Sequence, residues 1–266
     1  MDDAVRFPFG RNWQSFVQAV DADAIAQAEH GLKRLFPDLR LKSFFDIGCG
    51  SGLSLLAASR LGATPVKGLD FDAQSVAASR QLLDAFGKPA TVEQRSVFDL
   101  GPKDGTFDVV YSWGVLHHTG DMWTALDTAR AMVSPGGHLA IAIYSKTPLC
   151  RFWAIEKRFY TSAPTIVQTM IRAAFKTVFL AGILATGRNP IRYVREYKSE
   201  RGMDWHHDIH HWLGGYPYQS ARPEEIESYL GRNGFLIVHR NVRKAALAGL
   251  LGTPCSEYVA RRDAVG

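Results

Sequence analysis

The sequence predicts an α/β protein with one doubly wound, mostly parallel sheet of seven strands and a helical insertion after the fifth strand. Short β-rich runs alternate with helical patterns from residue 44 onward, which is typical of a parallel sheet covered by helices on both faces. The alternation stops after residue 144, and a long helical, basic and aromatic stretch follows. The 266 residues, 46% of them hydrophobic, can bury a core without a metal or disulfide framework.

Five strands and three helices are predicted in the first half of the chain. The strands are Phe44–Ile47, Val66–Asp70, Thr91–Ser96, Phe107–Ser112 and His138–Tyr144, and the helices are Leu53–Leu61, Ala73–Phe86 and Met122–Val133. A sheet of this kind binds ligands beyond the carboxyl ends of its strands. We therefore expect functional residues in the loops that follow these strands.

The second half returns to the sheet after the insertion. Arg222–Asn233 is predicted to be a helix, because Pro223 stands in its first turn and two glutamates favour its positive end. Phe235–Arg240 and Glu257–Arg261 are predicted to be two closing strands. The expected domain organisation is a helical extension over residues 1–41, a sheet domain over 42–145 and 219–266, and a helical lid over 146–218.

The net charge of +5 is unevenly distributed. Eleven Lys and Arg residues stand against three Glu between Lys146 and Gly202, so the rest of the chain is slightly acidic. One interpretation is a lid helix with a solvated basic face. A second is contact with an anionic or lipid-like substrate, or peripheral contact with a membrane. Nucleic-acid binding is disfavoured, because no recognised binding module accompanies the charge.

Three features predict a cytoplasmic protein. Its three cysteines, Cys49, Cys150 and Cys255, form no C-x-x-C pair, which favours a reducing compartment. The N-terminus has no apolar core of a signal peptide. The apolar stretch 166–185 is interrupted by Arg172 and Lys176, so its uncharged part is expected to be too short to cross a bilayer.

A glycine-rich turn is the sharpest local signal. Phe44-Phe45-Asp46-Ile47-Gly48-Cys49-Gly50-Ser51-Gly52 lies between a predicted strand and a predicted helix, the context of a nucleotide-binding turn. Glycines let the backbone approach a ligand closely. The dinucleotide fingerprint would need glycine at position 53, where the chain has Leu53. A phosphate-binding G-x-x-x-x-G-K-[S/T] loop is also absent from the sequence.

The segment D-I-G-C-G-S-G resembles the first motif of the class I S-adenosylmethionine-dependent methyltransferases. Further matches follow in order: Asp70 ends the second strand, residues 95–99 end the third, 107–118 resemble the fourth-strand motif, and 134–137 resemble the turn before the fifth strand. The resemblance implies a Rossmann-like sheet with a reversed final hairpin and S-adenosylmethionine as cofactor. It assigns cofactor binding to Asp46, Gly48, Cys49, Gly50, Asp70, Phe71, Ser96, Val97, Phe98 and Trp113.

The resemblance also implies methyl transfer, with a small molecule as the expected acceptor and oxygen as the expected atom. Two alternatives stay open. The acceptor can be a macromolecule, tRNA or protein, docked on the basic insertion, or the protein can bind the cofactor without transferring the methyl group. The sequence names neither the acceptor nor the oligomeric state.

Catalytic candidates concentrate in a segment rich in His, Trp and Tyr, residues 204–218. If helical, His206/His210 and His207/His211 are i,i+4 pairs, compatible with a polar lid, a substrate contact or general base, or metal ligands. We expect no metal, and we expect Asp208, His211 and Tyr216 to face the acceptor, with His117 opposing them from the sheet. The aromatic segment 7–13 either closes over the ligand or docks as a hydrophobic anchor.

Overall fold

A seven-stranded sheet forms the centre of the computed structural model, which describes residues 5–185, 187, 189–201, 205–245, 249–250 and 252–264. The strand order is β3-β2-β1-β4-β5-β7-β6. The strands are β1 Phe44–Ile47, β2 Val66–Asp70, β3 Thr91–Gln94, β4 Phe107–Trp113, β5 Val133–Tyr144, β6 Phe235–Asn241 and β7 Cys255–Arg262. Only β7 runs antiparallel to both of its neighbours. The predicted doubly wound sheet with a reversed final hairpin is therefore confirmed.

Ten α-helices are present in the described part of the chain. They are α1 Phe9–Val17, α2 Ala22–Leu35, α3 Leu53–Arg60, α4 Ala73–Ala85, α5 Met122–Ala131, α6 Cys150–Ser162, α7 Thr165–Ala185, α8 Pro190–Arg201, α9 Trp205–Gly214 and α10 Pro223–Arg232. Helices α6 to α9 fill the predicted helical stretch between β5 and the return to the sheet. Asp204, and the side chains of His206 and His207, lie outside the described residues.

Both faces of the sheet are covered, because successive strand residues point to opposite sides. Phe44 packs into one core cluster with α2, α3 and α4, and its neighbour Phe45 packs into the other with α5 and α10. All four residues of β1 are buried. This two-sided burial accounts for the continuous apolar runs in the strands.

The start of β5 differs from the prediction. Residues 134–137 were expected to form a turn before the strand, but β5 already begins at Val133, which pairs with Phe107. The register then shifts between Phe107 and Val109. This irregularity accommodates the Pro-Gly-Gly segment inside the strand, and α5 accordingly ends at Ala131 rather than Val133.

The insertion packs against the N-terminal segment through a cluster of its own. Phe7 lies among Tyr160, Trp205 and Leu213, and the Phe7 backbone N–H donates to the Tyr216 carbonyl oxygen over 3.0 Å. A β-carbon at Gly214 would collide with the Phe7 ring. The N-terminal segment and the lid therefore form one packed unit over the sheet edge.

Helix α7 corrects one expectation and bears on a second. Arg172 and Lys176 do not form a solvated basic face: both are half-buried, Arg172 against Tyr160 and Lys176 over the Trp205 ring. By length and composition α7, with Arg172 and Lys176 included, is long and apolar enough to cross a membrane, whereas the expectation concerned only its uncharged part. A single helix of this kind is weak support for a membrane span.

Candidate active site

A cavity of about 2320 Å³ opens where the carboxyl ends of β1, β2 and β4 meet the lid. The ten residues assigned above to cofactor binding all line this cavity, although they come from four separate segments at the ends of β1, β2, β3 and β4. They are Asp46, Gly48, Cys49, Gly50, Asp70, Phe71, Ser96, Val97, Phe98 and Trp113. The fold thus brings them to one wall, and their contact with a cofactor stays a prediction.

The glycine turn after β1 depends on residues without a β-carbon. Gly48 and Gly50 have φ angles of 80° and 53°, in the left-handed region that favours glycine. A β-carbon on Gly48 would collide with the Val115 side chain, and one on Gly50 would lie 2.8 Å from the Trp13 ring. Ser79 holds the turn by donating its hydroxyl to the Gly50 carbonyl oxygen over 2.8 Å. This role of Ser79 was not predicted from the sequence.

Asp70 ties the glycine turn to the end of β2. Its carboxylate accepts the Gly50 N–H over 3.0 Å and the Asp72 N–H over 2.9 Å. Burial raises the pKa of Asp70 to about 6, although these backbone donors oppose the shift. Asp46 is almost fully buried, and its pKa lies well above the usual range because of burial and the negative charge of Asp70. The Asp70 carboxylate, which is mostly ionised at neutral pH, gives this wall a negative charge and an acceptor for hydroxyl groups.

The wall formed after β2 and β3 offers apolar surface to a flat group. The Phe71 and Phe98 rings line the cavity and are exposed, at 58% and 42% of their surface. The Ser96 hydroxyl is engaged locally, since it accepts the Phe98 N–H over 3.3 Å and caps a short helical turn. A contact through the backbone near Val97 is therefore better supported than one through the Ser96 side chain.

A second part of the cavity lining is aromatic and belongs to the lid. It consists of side chains from α7, α8, α9 and the loop after α9, together with Tyr144 at the end of β5. The lid residues are Phe175, Phe179, Tyr193, Tyr197, Trp205, Asp208, Trp212, Tyr216 and Tyr218. Asp208 is the acidic group among these, and it accepts a hydrogen bond from the Tyr197 hydroxyl. Such a wall excludes water while leaving a few polar contacts.

His117 does not occupy the position expected of it. It is 0% exposed and does not line the cavity, and its ring lies 3.9 Å from that of Tyr144, centroid to centroid. Burial holds its pKa well below the usual range. Its neighbour His118 lines the cavity instead, with Nδ1 donating to the Pro217 carbonyl oxygen over 2.8 Å. Burial lowers the pKa of His118 to about 4, so its imidazole is neutral at neutral pH.

His211 is likewise placed away from the cavity. Its ring packs among the aromatic rings of the N-terminal segment, with centroid distances of 5.4 Å to Phe9 and 4.7 Å to Trp13. It therefore anchors α1 to α9 rather than facing an acceptor. Of the lid residues expected to face the acceptor, Asp208 and Tyr216 do line the cavity.

Helix α1 covers the glycine turn. Trp13 lines the cavity and packs on Gly50, and the Gly10 N–H donates to Asp72 Oδ2 over 2.9 Å. Both interpretations of the aromatic N-terminal segment thus have a structural counterpart, because Phe7 anchors it to the lid while Trp13 reaches the cavity. The sequence placed Trp13 in a segment that either closes over the ligand or docks as an anchor, without singling it out as the residue that reaches the cavity.

The described residues contain no group of three or more His, Cys, Asp and Glu side chains that could hold a metal ion. His210, one of the candidate ligands, interacts with protein groups: its Nδ1 lies 2.7 Å from the Tyr160 hydroxyl and 3.2 Å from Arg172 Nη1. The absence of a metal requirement stays a prediction, and its test follows below.

Comparison with known proteins agrees with this geometry. Residues 45–141 match a family model described as a methyltransferase domain. The chain is 48% identical over 65 residues to a ribosomal protein L11 methyltransferase from Laribacter hongkongensis, covering 22% of each chain. It is 36% identical over 109 residues to a ubiquinone biosynthesis O-methyltransferase from Brucella ovis, covering 39% of this chain and 42% of the relative. The chain therefore spans less than half the length of these relatives.

Solved structures extend the match over nearly the whole fold. A magnesium protoporphyrin IX methyltransferase from Synechocystis PCC 6803 with bound SAH aligns with a TM-score of 0.52 at 17% identity, over 95% of this chain and 84% of that one. A putative S-adenosylmethionine-dependent methyltransferase from Listeria monocytogenes aligns with a TM-score of 0.54 at 18% identity, over 90% of this chain and 99% of that one. Residues 45–141 thus match a methyltransferase domain, and the fold as a whole is that of S-adenosylmethionine-dependent methyltransferases.

S-adenosylmethionine, the cofactor of this class, fits the residues at the glycine turn. Its ribose hydroxyls suit the carboxylate of Asp70, and its positive charges suit the negative charge of the same carboxylate. Its adenine suits the surface formed by Phe71 and Phe98, because exposed aromatic rings favour stacking with a flat ring system. Gly48 and Gly50 allow the backbone to approach the ligand closely.

We expect the affinity for S-adenosylmethionine to fall as the pH drops through about 6, the pKa of Asp70. Above that pH the ionised carboxylate accepts the ribose hydroxyls. Below it, the fraction of carboxylate falls about tenfold per pH unit. A bound cation stabilises the carboxylate, so binding releases a proton in this range. Calorimetry between about pH 5 and about pH 7.5 measures the effect, and a constant affinity over this range would contradict it.

Proposed function

We propose that this protein transfers the methyl group of S-adenosylmethionine to an oxygen atom of a small, largely apolar molecule. The observation that carries the proposal is one cavity with two unlike walls. The glycine turn, Asp46 and Asp70 form one wall, and aromatic side chains of the lid form the other. The volume of about 2320 Å³ exceeds the 300–1,000 Å³ that is typical of a single small-ligand pocket. It therefore has room for a cofactor and an acceptor.

The chemistry asks little of the protein beyond placement. S-adenosylmethionine, when bound, supplies a methyl group that is already activated for in-line displacement. The chain must align the acceptor oxygen and exclude water, which contributes most of the acceleration. We assign these tasks to residues 146–218, which form the lid and build the acceptor pocket.

Asp208 is our choice for the group that orients or deprotonates the acceptor hydroxyl. It lines the cavity, and the hydrogen bond from the buried Tyr197 fixes its carboxylate. Tyr216 lines the same cavity and offers a second polar contact. His118 is less suited to this role, because its Nδ1 is already engaged in the hydrogen bond to the Pro217 carbonyl oxygen.

The relatives support a small acceptor only in part. The name of the Brucella ovis relative specifies O-methylation in ubiquinone biosynthesis, whereas that of the Laribacter hongkongensis relative specifies a ribosomal protein. The aromatic wall favours an apolar acceptor with a ring and a hydroxyl group over a macromolecule. The three cysteines are free in the structure, which suits the proposed cytoplasmic location.

The proposal is tested by following S-adenosylhomocysteine formation from S-adenosylmethionine with the full chain. The acceptor panel contains hydroxylated aromatic compounds and quinols, a bulk tRNA fraction and a ribosomal protein fraction. Turnover with a member of the first group supports the proposal. Turnover with tRNA or protein alone supports a macromolecule-modifying enzyme instead. Cofactor binding without turnover on an extract of small molecules supports the non-catalytic alternative.

Methyl transfer is expected to need no metal ion. The lid residues that line the cavity offer one carboxylate, that of Asp208, and tyrosine hydroxyl groups rather than a cluster of metal ligands. Turnover should therefore be the same with and without a strong chelator of divalent cations. Loss of turnover in the chelator, followed by recovery on addition of Mg²⁺ or Zn²⁺, would overturn this expectation.

A further inference from the structure

Helix α7 presents an apolar face to the outside of the molecule. Ile166, Met170, Val178 and Leu184 are 63–72% exposed. The other exposed positions of the helix carry small or hydroxyl side chains, namely Thr165, Thr169, Ala173, Ala174, Thr177, Ala181 and Ala185. This outward face therefore carries no charged residue along six turns, whereas the outer face of a lid helix in water is normally charged.

The two charged residues of α7 lie on its inner side. Arg172 donates to the Tyr160 hydroxyl and to Thr169 Oγ1, each over 2.8 Å. The Lys176 ammonium lies 5.6 Å from the centre of the Trp205 ring. The polarity of this helix is thus inverted relative to a helix that faces water. The contacts of α7 with Tyr160 of α6 and Trp205 of α9 explain why its two charged residues lie on the inner side. They do not explain why its outer face is apolar.

The preceding helix α6 carries an exposed face of mixed apolar and basic character. Phe152, Ile155 and Phe159 are each more than half exposed, and the exposed Arg151 and Arg158 stand beside them. The carboxylate oxygens of Glu156, the acid of this helix, are buried. Ile191, at the start of α8, is also exposed and is followed by the exposed Arg192. Apolar and cationic groups thus alternate without an exposed acid on α6.

We propose that the outward faces of α6 and α7, the lid face, dock on the surface of an anionic lipid bilayer. Helices that lie in a membrane interface combine an apolar face with arginine or lysine at headgroup level. Each basic residue near the surface adds to the attraction by anionic lipids. A second copy of this chain is a poorer occupant, because it would bring Arg151 and Arg158 against like charges.

Helix α7 lies along the bilayer surface in this arrangement rather than crossing it. Its inner side is occupied by the lid and the cavity wall, to which it contributes Phe175, Phe179 and Ile183. Arg172 and Lys176 are held there by protein partners, near the middle of the helix. One consequence rests on the proposed function: a single helix would separate the acceptor cavity from the bilayer, which would suit an acceptor dissolved in lipid.

The test is cosedimentation of the full chain with vesicles, without acceptor. Vesicles of phosphatidylcholine and phosphatidylglycerol are compared with vesicles of phosphatidylcholine alone. We expect at least about tenfold stronger binding to the anionic vesicles, weakened by salt. Met170→Glu and Val178→Glu should each reduce binding about tenfold or more, because they place a charge in the interface. Val238→Glu, at an exposed position on β6, is the matched control and should bind as the unmodified protein does.

Binding of S-adenosylmethionine by each variant reports on folding, and it does not depend on an acceptor or on methyl transfer. Failure of the docking proposal is therefore distinct from failure of the proposed function. Equal binding to both kinds of vesicle, or unchanged binding of the Met170→Glu and Val178→Glu proteins, would overturn the docking proposal. A concentration-dependent dimer that Met170→Glu abolishes would assign the face to a second copy instead. Resistance to extraction from vesicles by alkaline carbonate would indicate a spanning helix and would also overturn it.

Discussion

Replacing Asp70 by Ala is expected to weaken S-adenosylmethionine binding by about 1–3 kcal/mol, the scale of lost hydrogen bonds to a charged group. This corresponds to roughly a fivefold to 150-fold rise in Kd. Two losses combine in the variant. The cofactor loses the acceptor for its ribose hydroxyls, and the N–H groups of Gly50 and Asp72 lose the carboxylate that positions them. Titration calorimetry of the purified variant measures the effect.

Asp84→Ala is the matched control, because Asp84 is exposed on α4 and does not line the cavity. Asp70→Asn separates the two losses, since an amide oxygen still accepts one hydrogen bond. An intermediate affinity for Asp70→Asn is therefore expected. If Asp70→Ala binds the cofactor as tightly as the unmodified protein, the cofactor does not lie on this wall.

The ten residues assigned to cofactor binding could be predicted from the sequence because the features that identify them are local. A turn that needs glycines, an acid at the end of the next strand and the alternation of strands and helices are all encoded within a few neighbouring residues. The parallel topology then brings the carboxyl ends of the strands to one edge. The ten predicted residues line one cavity for this reason, even though Asp46 and Trp113 are 67 residues apart in the chain.

The choice between His117 and His118 could not be made in the same way. Both belong to a single turn of 3₁₀ helix, Leu116–His118, in which successive side chains point in different directions. The direction that faces the cavity is set by contacts from distant segments. Tyr144 packs on His117, and the Pro217 carbonyl oxygen accepts the hydrogen bond from His118. The motif therefore identified the turn, but it could not identify the side chain that reaches the cavity.

The orientation of α7 also depends on distant partners. The spacing of Arg172 and Lys176 correctly placed both residues on one stripe of the helix. The assumption that a basic stripe faces water was wrong, because Tyr160 and Trp205 supply a hydroxyl group and an aromatic ring to these cations. The position of His211 depends on tertiary packing in the same way, because its partners Phe9 and Trp13 lie about 200 residues earlier in the chain.

Asp208→Asn and Tyr216→Phe are expected to lower turnover while leaving the affinity for S-adenosylmethionine nearly unchanged. Loss of a general base or of its orientation costs about a hundredfold or more in rate, so the larger effect is expected for Asp208→Asn. The cofactor affinity is expected to be preserved, because the glycine turn and Asp70 belong to β1, β2 and the loop after β1 and not to the lid. The measurements are kcat/KM with an acceptor identified from the panel and calorimetry with the cofactor.

The chain contains a second tyrosine–aspartate pair that serves as the matched control. The Tyr229 hydroxyl donates to Asp127 over 2.5 Å, and neither residue lines the cavity. Asp127→Asn and Tyr229→Phe remove the same chemical groups away from the cavity, so both should keep full turnover. An equal loss of turnover in the variants of both pairs would indicate a general effect on folding. Full turnover of both Asp208→Asn and Tyr216→Phe would show that the acceptor does not contact this part of the lid.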